Sequence, residues 1–191
     1  MSRKIWLPVA VVALAALAIG WGFAGDRNNR RPATTKFVQD SVVKRGFDIA
    51  PVPLNMEARN PELVALGSYI VNAQSGCADC HSCPTYAVGH NPYQGGDGQI
   101  NADNYLAGGV PFGPFVSANL TPDAETGLPA GLTFAQFVDA MRTGHEPHGG
   151  TLFVMPWPIY RNMLDRDLAA IYEYLSSIPH ADPGTCAGAG E

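Results

Sequence analysis

Beyond Asn60 the chain has only three basic side chains, Arg142, Arg161 and Arg166, against thirteen acidic ones. So few cations cannot build a phosphate-binding face, which excludes nucleic-acid recognition. An acidic domain of this kind suits partners that present a basic surface. Other absences narrow the field. There is no nucleophile triad, no acid/base pair and no phosphate loop, so no catalytic residue is assigned. No internal repeat is found, and no strand-like alternation is sustained. Against these stand 191 residues and 46% hydrophobic content. That is enough for one globular domain with extensions, and it excludes a largely disordered chain.

The longest apolar run lies near the start. Ile5 to Gly25 carries no charge and follows the basic tetrapeptide MSRK. A helix of that length, at about 1.5 Å per residue, crosses the roughly 30 Å hydrocarbon layer. Trp6 and Trp21 stand near its ends like interfacial anchors. The run is longer than the usual signal-peptide core, although Ala16-Leu17-Ala18 offers a cleavage site. A retained single N-terminal span over residues 1–25 is the expected outcome. Basic residues follow closely. Residues 1–60 hold nine Lys/Arg and four Asp/Glu, a net +5, while residues 61–191 are net −10. Positive charge beside a membrane helix can rest on anionic headgroups. Arg27, Arg30 and Arg31 after the run outnumber Arg3 and Lys4 before it. The positive-inside count therefore opposes export. The chemistry below outweighs that count, and export is expected.

Residues 26–60 mix charge and proline without a period, as a basic tether with a short helix near Val38–Lys44. A domain is expected over 61–180, followed by a C-terminal tail at 181–191. Its first helix has Asn60 as N-cap, Pro61 in the first position and Glu62 in the first turn. Leu63, Leu66, Gly67 and Ile70 mark its buried stripe, and Gly76 ends it. Residues 81–132 are rich in Gly, Pro, Asn and Asp, an improbable stretch unless something fills the interior. Thr133 and Gln136 form a capping box for a second helix, with Phe134, Phe137, Val138 and Met141 on its apolar face and Gly144 as its stop. The last helix is expected at Arg166–Ser177, capped by Asp165, with Leu168, Ile171, Tyr172 and Leu175 inward and Pro179 beyond it. Three helices with such loops make a small core.

The filling is suggested by GCADCHSC, Gly76 to Cys83, which holds three of the four cysteines. Cys77-Ala78-Asp79-Cys80-His81 is the C-x-x-C-H signature of c-type haem attachment. Thiols three positions apart can reach two vinyl groups, and the adjacent imidazole can supply an axial nitrogen. Zinc is the main competitor, with Cys77, Cys80, Cys83 and either His81 or Cys186 as ligands. Structural zinc sites usually use two separated pairs, and no separate second C-x-x-C or H-x-x-x-H occurs, since Cys80-His81-Ser82-Cys83 shares Cys80 with the first. A redox dithiol usually follows a strand in a βαβ unit, whereas this motif follows a helix. Haem is therefore preferred. The candidates for a sixth iron ligand are Met155, Met163, Met141, His145 and His148. Met155 lies in TLFVMPWPIY, an extended stretch with two prolines and no helical continuation. It is favoured over His148, the next choice.

Together, GCADCHSC, ANLTPDAETG (118–127), FVDAMRTG (137–144) and MPWPIYRNMLDRDLAAIYEYLSSIP (155–179) resemble class I mono-haem cytochrome c. They are most similar to the cytochrome c domains of membrane-bound bacterial dehydrogenase subunits, over residues 61–180. The resemblance implies an all-α cytochrome c fold, three main helices and long loops around one covalent haem c, with an N-terminal transmembrane helix. It implies Cys77 and Cys80 as thioether cysteines, and His81 and Met155 as axial ligands. It also implies that Gly67 lets Tyr174 or Leu175 approach, and that Trp157 and Asn119 lie near the haem or its propionates. Cys83 and Cys186 are then either a disulfide or two unpaired thiols.

A carrier with both axial positions filled passes single electrons and is not itself an enzyme, though it can be a subunit of an oxidoreductase complex. Its partners would be a membrane dehydrogenase, a cytochrome complex or a terminal oxidase, and lipid through the N-terminal helix. The expected location is the bacterial inner membrane with the haem domain in the periplasm. The rival readings are a haem enzyme or gas sensor with a labile distal ligand, and a zinc-stabilised exported module.

Overall fold

The computed structural model describes residues 33–147 and 149–186. The expected span over residues 1–25, most of the tether's charged start, His148 and residues 187–191 lie outside the described residues. Among the described residues no helix is long and apolar enough to cross a membrane.

The compact unit begins at Val38, well before Asn60. In place of a short helix there is α1, Ala33–Asp48. Gly46 brings α1 against the domain: a Cβ there would collide with the Ala65 carbonyl. Ser68, buried, donates its hydroxyl to the Gly46 carbonyl at 2.7 Å. Further along, Val52 enters the core and the Asn55 amide bonds the Ser177 carbonyl at 2.8 Å. Residues 46–60 are therefore part of the fold, and the expected tether is shorter than 26–60. A glycine contact with a helix twenty residues away leaves no periodic trace in the sequence.

Helix α2, Pro61–Tyr69, starts as its composition dictates. The Asn60 side chain accepts from the Glu62 and Leu63 amides at 3.0 and 3.3 Å. Asn60→Ala should cost about 1 kcal/mol, read as a lowered melting temperature. A π-helical turn, Ile70–Gln74, continues it. Its buried face is broader than the expected stripe: Val64, Ala65, Gly67 and Ser68 are buried while Leu63 is half-covered. The helix is packed on two sides, by α1 and by α6, Asp165–Ser177.

At the α2–α6 crossing, a Cβ on Gly67 would overlap the Ala170 carbonyl oxygen and lie 2.7 Å from the Tyr174 Cβ. Helix α4, Phe134–Thr143, carries its capping box on Thr133 and Gln136, and Gly144 ends it in the left-handed region at φ 73°. Asp165 is the first residue of α6 and not its cap. Leu164 holds that place and, having no side-chain acceptor, makes no capping bond, while the Asp165 carboxylate pairs with Arg142 at 2.7 Å.

The long segment between Gly76 and Thr133 holds α3, Cys77–His81, two 3₁₀ turns, and a two-residue hairpin of β1, Pro111–Phe112, and β2, Phe115–Val116. Sequence alternation is too short to reveal such strands. The C-terminal segment is no free tail as far as Cys186. Gly184 donates to the Ala107 carbonyl at 3.1 Å, and Cys186 is joined to Cys83 by a disulfide with Cα atoms 5.2 Å apart. A bridge across 103 residues of separation can contribute up to ~4–5 kcal/mol through lost unfolded-chain entropy.

Candidate haem site

The Gly76 backbone, in the left-handed region at φ 59°, turns the chain from the π-helical turn into α3. Five helical residues place Cys77, Cys80 and His81 at i, i+3 and i+4, on one face. Cys77 is half-buried and Cys80 exposed, and neither is paired. Burial pushes the Cys77 thiol up to about 12. Redox dithiols work in the opposite sense, by lowering a thiol into the neutral range. Cys83, fully buried, is committed to Cys186. That removes it from any zinc set. Among the described residues no three His, Cys, Asp or Glu side chains converge as metal ligands.

His81 is held at two points. Its backbone carbonyl accepts from Gly108 at 2.7 Å, and its Nδ1 bonds the Ala118 carbonyl at 2.8 Å. Burial holds the imidazole below its usual pKa, partly opposed by that bond. The neutral tautomer with Nδ1–H therefore donates to Ala118 and leaves Nε2 with a free lone pair. Ala118 sits just beyond β2, so the hairpin fixes the ring orientation.

Met155 is carried by the segment after α4. The Leu152 amide bonds the Gly144 carbonyl at 2.8 Å, and His145 bridges Thr151. Met155, half-buried, packs on the core and is followed by a helical turn, α5, Trp157–Tyr160. That turn is not expected from two prolines, yet Pro158 falls in its first turn, where the missing amide costs nothing. Trp157 lies over Gly144, whose hypothetical Cβ would meet its indole. Tyr160 donates to the Ser75 carbonyl at 3.2 Å, beside the cysteines. Phe115 of β2 stacks on Phe153 at 5.6 Å. This contact joins the hairpin that leads to Ala118 with the segment that carries Met155. Met141 is core, His145 is exposed, and Met163 lines a cavity of about 360 Å³ with Ile70, Ser75 and Tyr160.

The residues fit a large apolar planar group. Two unpaired thiols and an oriented imidazole stand on one helical face. Phe115, Val116, Phe153, Val154 and Ile159 remain exposed around them, apolar area that protein packing alone leaves in water.

Asn119 directly follows Ala118, the residue whose carbonyl orients His81. Its amide donates to the Ala181 carbonyl at 2.8 Å and accepts from the Thr121 amide and hydroxyl, tying the 118–121 turn to the C-terminal segment. A buried polar knot also escapes sequence reasoning. Tyr105 bonds Asn72 and shares its hydroxyl with Tyr174 at 2.9 Å, and burial raises both phenols. Tyr105 lies in a loop without periodicity, so only its size hints at burial.

No family model matches the chain. Over 132 residues, 68% of its length, it is 35% identical to a nicotinate dehydrogenase subunit of Pseudomonas putida, of which it covers 10%. It is 34% identical over 116 residues to the gluconate 2-dehydrogenase cytochrome c subunit of Pantoea cypripedii, covering 60% of this chain and 23% of that one. A diheme cytochrome c-type protein of Cereibacter sphaeroides is 30% identical over 112 residues, covering 56% and 33%. The chain spans a third or less of these relatives. With the C-x-x-C-H face, the oriented His81 and these similarities in view, the chain is a cytochrome c relative, similar to the cytochrome c subunits of bacterial dehydrogenases.

Proposed function

We propose that this chain is a membrane-tethered single-electron carrier of the cytochrome c fold, bearing one haem c and working in the periplasm. Haem c, when bound, supplies an Fe(III)/Fe(II) couple. The protein's residues supply the rest. Cys77 and Cys80 would hold the haem through two thioether bonds, His81 would offer Nε2 to its iron, and Met155 would offer its thioether, a ligand pair that would raise the potential and suit electron transfer over substrate binding.

The observation that carries this reading is the α3 face: two unpaired thiols, with an imidazole whose Nδ1 is committed to Ala118 at 2.8 Å. Partners are redox proteins, a dehydrogenase, a cytochrome complex or a terminal oxidase, met through a basic surface that complements the acidic domain. A first segment anchored in the bacterial inner membrane would raise the effective concentration of the domain beside them.

Met155→Ala tests the ligation. The full-length protein should show the far-red methionine–iron band when oxidised and bind no carbon monoxide at neutral pH when reduced. The variant should lose the band entirely, bind carbon monoxide and have a lower midpoint potential. Ready carbon monoxide binding by the unmodified protein would support the sensor or enzyme reading instead.

A further inference from the structure

The three cations of the acidic domain are not equivalent. Arg142, in the last turn of α4, is largely covered and spends its guanidinium on one short stretch of backbone. One terminal nitrogen donates to the carbonyls of Arg161 and of Met163, the latter at 2.6 Å. The other donates to the Asp165 carboxylate at 2.7 Å. Neither carbonyl accepts another hydrogen bond among the described residues. The Met155 segment therefore hangs between two closures on the same end of α4. One is the Leu152–Gly144 backbone bond, and the other is the Arg142 fork. Eight residues, 153–160, lie between them.

We infer that Arg142 is the positioning residue for the distal ligand, holding the Met155 segment at its far end so that the thioether stays on the iron. The inference rests on the His81/Met155 reading. The chemistry suits arginine. A planar fork can serve two carbonyls and a carboxylate at once, whereas one ammonium cannot hold all three in that geometry. Without it the two carbonyls lose their donors, and the far end keeps only the Tyr160–Ser75 bond and the packing of Trp157 on Gly144. A ligand held more loosely at that end swings away more often, and competing ligands take its place faster.

The test is the rate at which added imidazole or cyanide displaces methionine from the ferric full-length protein, followed by loss of the far-red band. Arg142→Met should raise that rate at least tenfold, and the reduced variant should bind carbon monoxide. Arg142→Lys should fall between it and the unmodified protein. Asn60→Ala, which weakens α2 remotely, should lower the melting temperature and leave the rate unchanged. An unchanged rate in Arg142→Met would overturn the inference. If that variant holds no haem, an unchanged rate in Arg142→Lys decides the same way. An equal rise in Asn60→Ala would also overturn it, by showing general loosening. Absence of the band from the unmodified protein would remove the Met155 reading itself, a separate failure.

Discussion

Replacing Cys77 and Cys80 together by alanine should abolish covalent haem and leave a chain that does not complete its fold. The first part follows from chemistry, since no other unpaired cysteine exists among the described residues. The second follows from magnitudes. Phe153, Ile159 and Val116 are 74%, 70% and 67% exposed, and Phe115 and Val154 are each 45% exposed. A fully buried side chain of this kind contributes roughly 1.5–3 kcal/mol, so covering what remains of these five would contribute roughly 4.5–9 kcal/mol. Whole domains are stable by only about 5–15 kcal/mol. Losing that contribution should therefore lower helix content and make the 81–132 loops sensitive to protease, even with the Cys83–Cys186 bridge intact. Circular dichroism and limited proteolysis check this. A double variant that melts like the haem-bearing protein would show that the polypeptide core suffices alone.

Gly67→Ala should be the most damaging change among the helices. Two effects oppose each other. Alanine is favoured over glycine inside a helix by about 1 kcal/mol. Against that, its Cβ would occupy the position of the Ala170 carbonyl oxygen, an atom fixed in the backbone of α6. Overpacking against movable side chains already costs roughly 1–3 kcal/mol, and a rigid carbonyl cannot turn aside. The helices must separate, loosening the contacts around Leu168, Ile171, Tyr174 and Leu175. A net loss of about 3 kcal/mol or more follows, equivalent to roughly 10 °C in melting temperature for a domain of this size. The haem spectrum should be unaltered below the transition. An unchanged or higher melting temperature would mean that the helices do not cross at Gly67.

Local signals in the sequence anticipate local structure well. Asn60, the Thr133–Gln136 box, Gly76 and Gly144 all act where their side chains or backbone freedom allow. The attachment motif and its helical face follow from three residues at fixed spacing. What stays hidden is set by long-range contact. Gly46 against Ala65 draws a linker-like segment into the core, and composition alone describes that segment as a tether. The expected cap at Asp165 is one residue late: Leu164 is the cap, and the Asp165 carboxylate pairs with Arg142, distant in sequence. Asn119 bonds Ala181, sixty-two residues on, a tie that its own segment does not announce. Leu106, buried with φ 57°, and Tyr105 beside it lie in a loop whose order comes from Ser82, Asn72 and Tyr174. None of those partners can be identified from the loop's own residues.

The central claim is that one haem is held covalently through Cys77 and Cys80. The most direct measurement is the mass of the proteolytic fragment carrying residues 76–83, taken from protein produced in bacteria that attach c-type haem. The predicted result is that fragment with the mass of one haem added, both thiols consumed, and a pyridine haemochrome of the two-thioether type. A fragment whose Cys77 and Cys80 both react with a thiol label, without haem, would contradict it.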